Sequence, residues 1–220
     1  MLEQLEIETG AAPDAVVIWL HGLGADGHDF EPIVPELGLQ DRSIRFVFPH
    51  APVRAVTING GMRMRAWYDI RDSAIRREDE SGVRESQADI EALIARERSR
   101  GIAAARTVLA GFSQGGAIAL QTALRHGERL AGVLALSTYL PLADKLGAEA
   151  SAINRHVPIF MAHGTEDPVI PISRAQTSRR ELLDLGYPVD WHEYRMPHSV
   201  CMEEVTDIAA WLRAVLPPAR

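Results

Sequence analysis

Short, nearly continuous apolar runs recur along the chain at residues 15–20 (AVVIWL), 44–48 (IRFVF), 108–110, 130–136 (LAGVLAL) and 157–162 (VPIFMA). Runs of this length predict strands covered on both faces. Residues 2–8 instead alternate apolar and charged positions, as a short edge strand does, and residues 189–194 predict another strand. Between the runs the period changes. Val83, Ile90, Leu93 and Ile94 fall at helical spacing within residues 82–100, and further helices are predicted over 114–126, 172–185 and 200–215. Pro32 and Pro35 leave only a short helical piece within 29–37. Residues 56–58 and 62–64 flank Asn59-Gly60-Gly61, a tight-hairpin pattern. The hairpin belongs to an excursion over 51–80 that has no core of its own. Residues 217–220 read as a loose tail. Strands alternating with helices predict an α/β fold, a mostly parallel central sheet flanked by helices on both faces, in one domain over 1–220. Ligands of such sheets sit beyond the carboxyl ends of the strands.

Thr107 to Ala119, TVLAGFSQGGAIA, reads strand, abrupt turn, helix, which is the setting in which G-x-S-x-G has chemical meaning. Ser113 is the candidate nucleophile. Gly111 and Gly115 are needed because a Cβ at either would run into neighbouring backbone. Gln114 N–H opens the helix and points toward a developing oxyanion. A serine hydroxyl needs a base, and eight histidines compete for that role. His198 lies between the last strand and the last helix and is favoured. His192 falls inside a strand, while His21 and His163 end strands and read as packed or loop-bracing residues. The imidazole in turn needs a carboxylate. Asp167 follows the strand at 157–162 and precedes Pro168, with Glu166 as its immediate rival. Ser113, Asp167 and His198 also follow the chain order of α/β-hydrolases. A second oxyanion donor is expected in the glycine-rich loop His21-Gly22-Leu23-Gly24, with Leu23 N–H the choice.

Composition removes other classes. A net charge of −7 argues against nucleic acid and anionic membrane surfaces as partners. Cys201 is the only cysteine, which excludes an internal disulfide and suits an ordinary, partly buried thiol. The acidic start of the chain carries no secretory pattern, and no apolar run approaches a membrane span, so a soluble, cytoplasmic protein is expected. The histidines show no metal-binding spacing, and neither cofactor nor metal is expected. Apolar character in residues 62–67 makes a homodimer through the site face the expected self-association.

With these residues in place, the chain resembles the phospholipase/carboxylesterase family of α/β-hydrolases, which includes acyl-protein thioesterases and small bacterial carboxylesterases. The resemblance rests on residues 20–27, Gly111-Phe112-Ser113-Gln114-Gly115-Gly116, Leu136-Ser137-Thr138-Tyr139-Leu140-Pro141, residues 164–171 and Pro197-His198-Ser199-Val200. Trp67-Tyr68-Asp69, with residues 57–61, is similar to the bacterial carboxylesterase branch. It implies an α/β-hydrolase fold without a large cap domain, the same triad of Ser113, Asp167 and His198, and oxyanion donors at Leu23 and Gln114. It also implies that Tyr139 and Val169 border an acyl pocket overhung by the excursion around Trp67. The activity implied is that of a serine carboxylesterase on short- to medium-chain esters through an acyl-enzyme. An acyl-protein thioesterase or lysophospholipase is the alternative, with a non-catalytic ligand receptor of the same fold as a remote one.

Overall fold

Val16, Ile18 and Leu20 pack into one hydrophobic cluster and Ala15, Val17 and Trp19 into another, all with no exposed surface. An unbroken apolar run divided this way is a strand with a core on each side. In the computed structural model, which describes residues 2–72 and 78–218, this run is β2 (Ala15–Leu20). The middle of the 51–80 excursion, at 73–77, and the tail residues Ala219 and Arg220 lie outside the described residues. Beside β2 stand β1 (Gln4–Glu8), β3 (Ile44–Pro49), β6 (Thr107–Phe112), β7 (Gly132–Leu136), β8 (Ile159–Gly164) and β9 (Val189–Tyr194). Among the described residues they form one sheet in the order β1-β3-β2-β6-β7-β8-β9. Only β1 is antiparallel, pairing with β3 from Gln4 opposite Pro49 to Glu8 opposite Arg45. The other neighbours are parallel. The fold is therefore the α/β-hydrolase fold, as expected.

Helices α2 (Glu80–Ser99), α3 (Gln114–Ala123) and α5 (Ile172–Asp184) pack on one face through residues such as Ile90, Ile118 and Leu182. The short α1 (Ile33–Glu36) and α6 (Met202–Val215) cover the other through Val34, Ile208 and Leu212. Arg45, the one charge in the run at 44–48, is accommodated because Glu8 and Glu97 accept its hydrogen bonds at 2.8 and 2.7 Å.

Three details differ from the sequence pattern. Strand β8 begins at Ile159, two residues into the apolar run, because Pro158 cannot donate to the ladder. Strand β4 (Val53–Val56) stops two residues sooner than the Asn-Gly-Gly pattern suggests, while β5 (Met62–Arg65) starts where expected, and a 3₁₀ turn over Thr57–Asn59 joins them with Gly60 and Gly61. Asp69 imposes this turn by accepting both the N–H and the hydroxyl of Thr57 at 2.7 Å. A helix with no amphipathic period, α4 (Ala143–Glu149), adds Leu146 to the core.

Candidate active site

Ser113 stands between β6 and α3 with φ 55° and ψ −120°, a conformation that non-glycine residues rarely adopt. Its neighbours hold it there. The Ser113 N–H donates to Leu136 O on β7 at 2.8 Å, and its carbonyl accepts from the Thr138 hydroxyl at 2.6 Å. The turn is sharp because strand and helix touch backbone to backbone: a Cβ on Gly111 would land on the backbone of Gly115, and one on Gly115 would land on the Leu20 carbonyl. Both glycines are thus required for the steric reason that their sequence positions suggest.

At the end of β8 the carboxylate of Asp167 is buried and fully engaged. Its Oδ1 accepts the N–H groups of Val169 and Ile170 at 2.8 and 2.9 Å, and Oδ2 lies 2.6 Å from His198 Nδ1. The Nδ1 proton therefore sits on the carboxylate side, leaving Nε2 as the lone-pair nitrogen. Glu166, the rival acid, points away and pairs with exposed Arg195 at 2.9 Å. Phe112, next to Ser113, packs against His198, their ring centroids 4.7 Å apart. Among the described residues no hydrogen bond joins the Ser113 hydroxyl to His198, a contact that in ligand-free sites often tightens only around substrate.

A second imidazole shares the acid, which the sequence does not reveal. His163 is fully buried, donates from Nε2 to Ile170 O at 2.8 Å and lies 3.3 Å from Asp167 Oδ2. Burial lowers its pKa, so it stays neutral beside the carboxylate. His192 stacks on Phe160 at 4.5 Å and pairs with Asp190, apart from this group.

Leu23 and Gln114 both line a cavity of about 240 Å³ together with Ser113. Among the described residues neither backbone N–H has a protein acceptor. The loop carrying Leu23 is braced from beneath. His21 donates from Nδ1 to Gly22 O at 2.7 Å and accepts the Ala51 N–H at Nε2 at 3.0 Å. Burial pushes its pKa down to about 4, keeping this neutral tautomer in place.

Tyr139 and Val169 line the same cavity, as the resemblance implies, but Trp67 does not. It is fully buried, and its ring N–H donates to His21 O at 2.9 Å. Gln114 ties it in further, its side chain accepting the Trp67 N–H and donating to Tyr68 O, each at 2.7 Å. The Trp67 indole is thus turned to the core side, where its ring N–H has a partner. The adjacent Tyr68 lines the cavity instead, its hydroxyl 2.6 Å from that of Tyr139. A two-ring sequence in a loop carries no period to say which ring turns inward.

Among the described residues no group of three His, Cys, Asp or Glu side chains could hold a metal ion, and no helix is long and apolar enough to cross a membrane.

The chain matches the phospholipase/carboxylesterase family over residues 2–216. It is 40% identical to acyl-protein thioesterase 1 of Gibberella zeae, with 93% of this chain and 92% of that protein aligned. It is 39% identical to acyl-protein thioesterase 1 of Yarrowia lipolytica, covering 94% and 95% of the two. Among solved structures, Zea mays acyl-protein thioesterase 2 superposes with a TM-score of 0.85 at 27% identity, over 98% of this chain and all of that one (100%).

Proposed function

We propose, from the premise that this chain belongs to the phospholipase/carboxylesterase family of hydrolases, that it cleaves acyl thioesters and esters with Ser113 as nucleophile, His198 as base and Asp167 as the carboxylate orienting it. The observation that carries the reading is the contact of His198 Nδ1 with Asp167 at 2.6 Å on a ring packed against Phe112, one residue from the strained serine. The resemblance seen in the sequence favoured a carboxylesterase. The names of both fungal relatives move the reading to the thioester alternative.

In this mechanism Ser113 Oγ attacks the acyl carbon while its proton passes to His198 Nε2. The oxyanion accepts hydrogen bonds from Leu23 N–H and Gln114 N–H, the second backed by the positive end of α3. His198 then protonates the departing thiol or alcohol, and water repeats the sequence on the acyl-enzyme. The exposed side chains of Ile58, Met62 and Val169 support self-association at the site face, which sedimentation of wild type against Met62→Asp would test as a change from dimer to monomer.

A fluorophosphonate probe is expected to label the wild type and not Ser113→Ala, and that variant should lose roughly 10⁴- to 10⁶-fold in kcat. Full turnover by Ser113→Ala would overturn the mechanism. Hydrolysis of butyryl-coenzyme A at a kcat/KM no lower than that on p-nitrophenyl butyrate supports the thioester reading, and cleavage of the aryl ester alone returns the enzyme to the carboxylesterases.

A further inference from the structure

Two hollows lie near Tyr139, which lines one of them, while its neighbour Leu140 lines the other. The cavity of about 240 Å³ that contains Ser113 has Tyr68 and Tyr139 among its lining residues. A wider cleft of about 630 Å³ opens next to it, lined by Leu140, Arg174, Ser178 and Glu181 among others. Arg174 links the two, its guanidinium carbon 4.2 Å from the centre of the Tyr139 ring. The ring that bounds the reaction cavity is therefore capped from the side of the cleft.

Several contacts fix that ring. Tyr139 and Tyr68 are almost fully buried, and their hydroxyls are 2.6 Å apart. The next residue, Leu140, donates its N–H to Ser178 Oγ on α5 at 2.9 Å, which pins the backbone behind the ring. Burial raises both phenol pKa values, that of Tyr139 to about 12, so the bond between the hydroxyls persists across the neutral range. A cation over a tyrosine face adds attraction from the far side.

We propose that the Tyr68–Tyr139 pair is a partition that sets the upper limit of acyl length, closing the reaction cavity against the neighbouring cleft so that short- to medium-chain acyl groups are the substrates. The reaction cavity, at about 240 Å³, is small beside the cleft of about 630 Å³. A longer chain meets the two rings. Removing the Tyr139 ring joins the cavity to the cleft and gives the chain a path beneath Arg174. This inference rests on the reading of Ser113 as the acylated residue and adds the acyl class to it.

The test is kcat/KM on p-nitrophenyl butyrate, octanoate and palmitate for the wild type, Tyr139→Ala, Tyr139→Val and Tyr68→Phe, with folding of each checked by thermal melting. The wild type should fall at least about tenfold from octanoate to palmitate. Either Tyr139 variant should raise the palmitate-to-butyrate ratio by about tenfold or more, and Tyr68→Phe, which removes only the hydroxyl, by a smaller factor. Folded variants that turn over butyrate with an unchanged ratio would overturn the partition, as would a wild type that cleaves palmitate as fast as octanoate. A wild type inert on all three esters and unlabelled by a fluorophosphonate would instead overturn the underlying reading of Ser113.

Discussion

Asp167 shows how much one side chain can be asked to do. Its two oxygens meet two backbone N–H groups, the His198 ring and the buried His163. Asp167→Asn keeps the shape but presents an amide where a carboxylate held the imidazole, and kcat is expected to fall by about 10⁴ with the fold retained, as steady-state kinetics and a thermal melt would show. The strand-end positions of Ser113, Asp167 and His198 were legible in the sequence, because the proposed roles would impose a chain order and a place at strand ends. His163 and Tyr68 were not. His163 ends a strand in a packed position as read, but its closeness to the acid depends on how residues 164–170 curl back, which no local pattern encodes. The placement of Trp67 differed from expectation for a comparable reason: its ring N–H is held by the His21 carbonyl, remote in sequence, and Tyr68 lines the cavity instead.

At the scale of an element, the loop bearing Leu23 depends on residues remote in sequence. Trp67 holds the His21 carbonyl, and His21 holds both Gly22 and Ala51. Trp67→Phe keeps most of the packing and loses the ring N–H. If Leu23 donates to the oxyanion, kcat should drop by up to about tenfold with KM little changed, a loss of transition-state stabilisation smaller than deletion of a donor. Equal losses in kcat and melting temperature for a distant core variant would show that the effect is only general loosening. Central strands were legible because continuous apolar runs admit few other readings. The short helix α4 was not, since it contributes a single buried leucine, and the hairpin turn was misjudged because Asp69, twelve residues beyond Thr57, decides where β4 stops.

Across the whole molecule, stability is coupled to pH through a group outside the candidate site. Glu204, in the first turn of α6, has no exposed surface, and among the described residues neither of its carboxyl oxygens has a hydrogen-bond partner. Burial, reinforced by the nearby Asp207 charge, pushes its pKa up to about 8 from an ordinary value of 4.5. Between those values the folded chain holds a proton that the unfolded chain has released. The stabilisation is therefore complete below the ordinary value and is lost as pH rises toward 8. Glu204→Gln should flatten that decline, melting higher than the wild type at pH 8.5 by roughly 2 to 4 °C for each kcal/mol relieved. An unchanged slope between pH 5.5 and 8.5 would show that the carboxylate is already ionised in the native state. The strand order has a consequence in time as well. Ser113 leaves the ribosome well before Asp167 and His198, which follow from β8 and from the loop after β9, so on the proposed assignment a growing chain carries the nucleophile before its base and acid. If the three residues act as proposed, unfinished copies are born without hydrolytic power, and translation itself times the onset of activity.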